Sequence, residues 1–265
     1  MNPERLVIRN AEGNRLSALL FVPAGERRCT VIAAHGFRGT KENGGRICSL
    51  AAKLVSRGCA LLAFDFAGSG ESEGDFADIT LSGQVRDLQA VVDWSDSRGL
   101  RPVVLLGRSF GGSTVLAEAA GDERVCGIIL WSTPVWLRET FAAIMPAEYR
   151  QLEEGNSVWI RDDWGEFRLN PGFARDLAGH DMLQYIKSIG QRPVLIIHGQ
   201  SDEIVKPENA EYIYERVGEQ AELHLVEGSD HRFLNSSALR EDLTVAWLER
   251  YFLQAPAVAP DSRER

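Results

Sequence analysis

Apolar residues along this chain fall into short unbroken runs, separated by longer stretches in which they recur every three or four positions. The runs are Leu6–Ile8, Leu16–Val22, Thr30–Ala34, Ala60–Phe64, Val103–Leu106, Gly127–Trp131, Val194–Ile197 and Glu222–Val226. Most are continuous rather than alternating, which fits strands covered on both faces, as in a parallel sheet. The spaced stretches Arg46–Arg57, Leu81–Ser97, Pro207–Val217 and Ala238–Phe252 read as amphipathic helices. Glu12-Gly13-Asn14 joins the first two runs and carries a hairpin signal. The alternation predicts an α/β fold: a doubly wound, mostly parallel sheet with an antiparallel N-terminal hairpin.

One crossover is too long for this rhythm. Between Trp131 and Pro193 lie about sixty residues, roughly twice what a strand–helix–strand connection needs. The excess predicts a cap insertion over 132–192, with the sheet domain formed by 1–131 and 193–253. The insertion carries Trp136, Phe141, Tyr149, Trp159, Trp164 and Phe167. A small lid needs a core of its own, and an apolar substrate pocket needs aromatic walls. On the second account Trp136, Trp159 and Trp164 line the pocket, and Asp162 or Asp163 receives a hydroxyl of an aromatic acid. The end of the chain from Gln254, with Ala255-Pro256 and Pro260-Asp261-Ser262, reads as a flexible tail over 254–265.

The run at Val103 leads straight into Gly107-Arg108-Ser109-Phe110-Gly111, and a helix-tolerant stretch follows to Ala120. A serine between glycines is a weak signal alone; on a sharp strand-to-helix turn it is a nucleophile held clear of the sheet. The glycines are needed where strand and helix backbones meet too closely for side chains. A hydroxyl attacks only if a base takes its proton and a third group fixes that base's tautomer. Of the five histidines, His231 follows the last strand in the loop Glu227-Gly228-Ser229-Asp230-His231, where catalysis collects in such sheets. His35 and His198 each precede a glycine at a strand end and read as loop ties. His224 lies within a strand pattern, and His180 in the insertion. The orienting acid falls to Asp202 in the loop after Val194–Ile197, with Glu203 its neighbouring competitor and Asp230 a turn former. Backbone N–H groups of Phe110, opening the helix, and of Phe37, in His35-Gly36-Phe37-Arg38-Gly39, supply an oxyanion hole.

Composition narrows the setting. The chain has 265 residues, a formal net charge of −9 and a sequence pI near 5.2. That balance argues against nucleic acid and anionic membranes as partners. No signal-like leader or membrane-length apolar run is visible, so a cytoplasmic protein is expected. Cys29, Cys48, Cys59 and Cys126 form no metal-like spacing and read as reduced core thiols. Gly68-Ser69-Gly70-Glu71-Ser72-Glu73-Gly74 fails as a dinucleotide loop: its third glycine is one place late and two glutamates repel a pyrophosphate. No cofactor and no metal are expected.

The His35-Gly36-Phe37 loop, Asp65-Phe66-Ala67-Gly68-Ser69-Gly70-Glu71-Ser72, the Gly107–Gly111 elbow, Asp202 and His231 together resemble the α/β-hydrolase superfamily. Within it the chain is most similar to bacterial cinnamoyl and feruloyl esterases and related small carboxylesterases, over about residues 15–252. The resemblance implies Ser109 as nucleophile, His231 as base, Asp202 as acid, and Phe37 with Phe110 as oxyanion donors. It implies cleavage of aryl or short-to-medium acyl esters, small-molecule substrates all, and leaves a homodimer open. Arg108 departs from the family, which usually has histidine there; a cation at that place pairs with a carboxylate or reaches the acyl pocket. A thioesterase, an acyl-amide hydrolase, and a ligand-binding hydrolase fold without turnover are the other readings.

Overall fold

The computed structural model describes residues 2–162 and 165–253. The chain opens with β1 (Glu4–Arg9) and β2 (Arg15–Phe21), then β3 (Cys29–Ala34), α1 (Ile47–Val55), β4 (Cys59–Phe64) and α2 (Leu81–Ser97). Next come β5 (Val103–Arg108), α3 (Phe110–Gly121) and β6 (Val125–Trp131). The insertion region holds α4 (Leu137–Ile144), α5 (Pro146–Glu153), β7 (Val158–Asp162), β8 (Gly165–Leu169), α6 (Gly172–Ala178) and α7 (Met182–Ser188). The chain then runs through β9 (Val194–Gly199), α8 (Glu208–Val217), β10 (Ala221–Val226) and α9 (Ser237–Phe252). The tail assigned to 254–265 lies outside the described residues.

Eight strands form one sheet in the order β1-β2-β4-β3-β5-β6-β9-β10. The first two pairings, β1 with β2 and β2 with β4, are antiparallel, and every later one is parallel. This is the doubly wound, mostly parallel sheet with an antiparallel N-terminal hairpin that the apolar runs predicted, and it fits the α/β-hydrolase fold that the resemblance implies. Strands β3, β4 and β9 are buried at every position, because helices cover both of their faces.

Strand alternation divides the core in two. Val103 and Leu105 of β5 face one cluster, with Leu88 and Val91 of α2, Val115 and Leu116 of α3, and Ile213 of α8. Val104 and Leu106 face the other, with Leu50 and Leu54 of α1 and Trp247 and Leu248 of α9. Helix α7 packs on α3 and α8 and so runs beside the sheet, whereas α4, α5, α6 and the β7–β8 hairpin pack on one another and meet the rest of the chain at α2, through α6, and at residues 76–78, through β8. Thr80 Oγ1 caps α2 by accepting from Gly83 N at 2.9 Å, which fixes where that helix starts. The thiols of Cys29 and Cys59, register partners on β3 and β4, lie 2.7 Å apart as free cysteines. Their separation in sequence hid that pairing.

Beneath the site, Asp65 is fully buried at the end of β4 and gathers the surrounding loops. Its carboxylate accepts from Lys41 N at 2.6 Å, Lys41 Nζ at 2.7 Å and Glu71 N at 2.9 Å. Lys41 is equally buried; its ammonium also meets Glu71 and Glu42, and these partners hold its pKa above the usual lysine value despite burial. The loop after β3 and the loop after β4 are therefore pinned to each other by charge.

Candidate active site

Ser109 stands between the last residue of β5 and the first of α3, with φ 53° and ψ −126°. A non-glycine residue is strained there, and the fold sustains it from both sides. Ser109 N donates to Trp131 O at 2.7 Å, and Gly112 N donates to Ser109 O at 2.8 Å. A Cβ on Gly107 would lie 2.4 Å from Gly112 Cα, and one on Gly111 would lie 2.3 Å from His35 O. So the two glycines serve different neighbours: Gly107 admits the helix, and Gly111 admits the loop after β3.

His231 brings Nε2 to 3.0 Å from Ser109 Oγ. Its Nδ1 faces both oxygens of Asp202, at 3.0 and 2.9 Å. Asp202 Oδ1 also accepts from Ile204 N at 3.0 Å and Val205 N at 2.7 Å. Oδ2 lies 3.1 Å from His198 Nε2. Burial alone would raise this carboxyl, but the hydrogen bonds from His198 and His231 outweigh it and hold it well below the usual carboxylate range. Glu203 accepts from the backbone N–H of His231 at 3.2 Å and does not face the ring. The structure thus places Asp202 rather than Glu203 against the imidazole.

The other histidines have different partners. His35 Nδ1 donates to Gly36 O at 2.9 Å while its Nε2 accepts from Phe66 N at 3.2 Å, and burial holds its pKa down. It ties loop to loop as expected. His198 does so too, 2.8 Å from Val205 O, but its contact with Asp202 was missed. The spacing His198…Asp202 was a usable signal, since a tight loop returns position i+4 towards i. His224 pairs with Glu222, and His180 with Ser82, Asp176 and Tyr185.

Phe110 opens α3, so its N–H is one of those a helix start leaves without an intrahelical partner. Phe37 follows Gly36, where an added Cβ would stand 3.0 Å from Ser109 Cβ. The Phe37 ring packs with Phe141 at 5.2 Å, Phe76 at 5.3 Å, Phe173 at 5.7 Å, Phe167 at 5.8 Å and Phe110 at 6.4 Å between centroids. Six separate segments contribute to this aromatic group, and of the expected tryptophans Trp136 and Trp159 do not. Trp159 is 70% exposed on β7, and Trp136, 36% exposed, stacks edge-on against Tyr212. Their placement follows from local rules: alternation on β7 turns Val158 inward and Trp159 outward. Asp162 pairs with Arg38, which also covers the Phe167 ring at 4.2 Å. Trp164 and Asp163 lie outside the described residues.

A family profile described as "Serine aminopeptidase, S33", of hydrolase type, matches residues 25–160, just over half of the chain. The chain belongs to this hydrolase family. Relatives include the quorum-quenching protein AidA of Acinetobacter baumannii, 35% identical over 120 residues, which cover 43% of this chain and 39% of that protein. The human mitochondrial palmitoyl-protein thioesterase ABHD10 is 26% identical over 197 residues, covering 72% of this chain and 63% of its own. The chain therefore spans less than two thirds of the length of these curated relatives. Among solved structures, Est1E from Butyrivibrio proteoclasticus with ferulic acid bound superposes with TM-score 0.78 at 23% identity, over 92% of this chain and 98% of that one. The esterase domain of a Rhodothermus marinus protein superposes with TM-score 0.72 at 23% identity, over 96% and 100%. At this identity the superpositions speak for the fold. Among the described residues, no helix is long and apolar enough to cross a membrane.

Proposed function

We propose that the protein is a serine hydrolase that cleaves carboxylic esters through an acyl-enzyme. The observation carrying this reading is the line Ser109 Oγ, His231 Nε2, His231 Nδ1, Asp202, each contact within 3.0 Å, built on a strained elbow. Ser109 Oγ attacks the acyl carbon as its proton passes to His231 Nε2. The imidazolium that results is held in place by the Asp202 carboxylate. The carbonyl oxygen becomes an oxyanion, taken up by the backbone N–H groups of Phe37 and Phe110, each donor lowering the barrier by about 3–4 kcal/mol. Collapse of the intermediate breaks the bond to the leaving oxygen, which receives the proton from His231. Water then repeats the sequence on the acyl-serine, regenerating Ser109 and releasing the acid.

The phenylalanine group around Phe37 favours aryl or short-to-medium acyl groups, since it adjoins the residue whose N–H meets the oxyanion. Thioester cleavage is a second reading, favoured by the thioesterase among the relatives; the same residues serve it, with sulfur as the leaving atom. A fluorophosphonate probe with intact-mass readout should add one adduct, mapping to Ser109. Ser109→Ala should abolish the adduct and lower turnover of p-nitrophenyl acetate roughly 10⁴–10⁶-fold with the fold retained. An adduct on another residue, or a variant still active, would overturn the assignment.

A further inference from the structure

Ser109 sits between two side chains that go to opposite faces of the sheet, Arg108 placed by the strand and Phe110 by the helix. Phe110 joins the cluster with Val103 and Leu105, on the α2–α3 face, and leads up to the phenylalanine group. Arg108 continues the other series, after Val104 and Leu106, towards the α1–α9 face. It borders a cavity of about 30 Å³ lined also by His35, Thr40, Asn43, Ile47 and Trp131. That volume holds roughly two waters, or the two oxygens of a carboxylate.

This face is crowded with positive charge. Arg108 and Trp131 are register partners on β5 and β6, and Arg240 of α9 covers the Trp131 ring at 4.0 Å. Arg46 Nη1 donates to Arg232 O at 3.1 Å, next to His231. Of the acids nearby, Asp202 is already shared by two histidines, Asp230 accepts from Leu234 N, Glu203 accepts from His231 N, and Glu241 meets Lys53 and Ser49. Of the two roles expected for Arg108, a carboxylate pair or a reach into the acyl pocket, the first is not made among the described residues; its Nη1 donates to Asn43 Oδ1 at 3.4 Å. Its Nε, and the Nε and one terminal nitrogen of Arg240, are shut off from solvent with no hydrogen-bond partner among the described residues. Buried donors left this way are costly and uncommon. Burial, then repulsion from Arg232 and Arg46, pushes Arg108 down to about 10.

We infer that the cationic side of the elbow, centred on Arg108, receives the anionic end of the substrate: a carboxylate or phosphate carried by the leaving group. The inference rests on the serine-hydrolase reading, because it uses the direction of the reaction. His231 returns its proton to the leaving atom, so the leaving group emerges on the side of His231, where Arg46, Arg108 and Arg232 gather. The acyl group then takes the opposite, phenylalanine side. Forked donors of a guanidinium match both carboxylate and phosphate oxygens.

The experiment compares one acyl group, butyryl, on three leaving alcohols of similar size: neutral, carboxylate-bearing and phosphate-bearing. An anionic leaving group should raise kcat/KM roughly ten- to hundredfold over the neutral one. The two anionic arms identify which head group is taken. Arg108→Gln should bring the anionic-to-neutral ratio close to one, and rising salt should lower the ratio in the unaltered protein. The salt series keeps the test alive if the variant fails to fold. Equal rates on all three esters, or an unchanged ratio in a folded Arg108→Gln, overturn the inference. Fluorophosphonate labelling of Ser109 is read in the same samples; failure of the hydrolase reading shows as no label and no turnover on any ester, whereas failure of this inference shows as label and turnover without preference.

Discussion

Replacing Asp202 by asparagine tests the site most sharply, because every neighbour of that carboxylate is a donor. Ile204 N and Val205 N occupy Oδ1, while Oδ2 faces His231 Nδ1 at 2.9 Å and His198 Nε2 at 3.1 Å. An asparagine that keeps its oxygen on the two backbone N–H groups turns its NH₂ towards both imidazoles. The clash is relieved at His231 only if Nδ1 gives up its proton and Nε2 carries it. An Nε2–H cannot accept the proton of Ser109, 3.0 Å away, so the base is lost although the ring stays in place. The imidazolium formed in the transition state also loses its counter-charge. Acid-to-amide exchange in such a triad lowers kcat about 10⁴-fold, equivalent to about 5.5 kcal/mol of barrier.

Turnover of p-nitrophenyl acetate and the rate of fluorophosphonate labelling should both fall on this scale. The same substitution changes the pH dependence of stability. Because the native carboxyl is held below its ordinary 3.8, its ionised form stabilises the fold above that pH, and the contribution fades as pH falls towards the native value. Thermal unfolding of the unaltered protein should therefore steepen its decline below about pH 4, a limb that Asp202→Asn should flatten. A loss of turnover under tenfold, or a larger loss in Glu203→Gln, would refute the reasoning.

Glu118, buried on α3 with Oε1 unpartnered, has its carboxyl pushed up to about 8 by burial and then by Asp122, from an ordinary 4.5. The unfolded chain releases that proton first, so stability falls as pH rises from 4.5 towards 8; Glu118→Gln should add on the order of 3 kcal/mol at pH 7 and nothing near pH 4, read by denaturant unfolding at both. Equal gains at the two pH values would show that ionisation is not the cause. Phe141→Ala removes a buried ring that meets Phe37, Phe110 and Phe173 and should cost roughly 3–5 kcal/mol and alter the ranking of acyl esters, whereas Trp159→Ala, at an exposed position, should move neither; the opposite result would restore the tryptophan to the pocket wall.

The sheet was readable because burial on both faces leaves an unbroken apolar run, and few other structures do. The elbow was readable for a different reason: its geometry demands glycines at fixed offsets around one serine. His231 and Asp202 followed from the rule that functional loops leave the C-terminal ends of parallel strands. The phenylalanine group could not be read this way. Phe37, Phe76, Phe110, Phe141, Phe167 and Phe173 come from loops, helices and a hairpin with no shared period, and only packing assembles them. Tryptophan is expected in the pocket because an apolar pocket needs aromatic walls, yet aromatic character does not decide which face of β7 a residue takes. Parity does, and Val158 and Ile160 turn their side chains away from the face that carries Trp159.

The change from strand to helix at Ser109 explains how one short motif gives the site two unlike sides. The residue before the serine obeys the strand, and the residue after it obeys the helix. Arg108 therefore extends the Val104–Leu106 series towards α1 and α9, while Phe110 enters the core beneath α2 and α3. Neither choice disturbs the strained serine, whose position is set by Gly107, Gly111 and the bond to Trp131 O. The two sides are then free to differ in chemistry, one aromatic and one cationic, around Ser109 Oγ. Specificity for acyl group and for leaving group should accordingly be separable by substitution, because the groups that read them are anchored in different halves of the core.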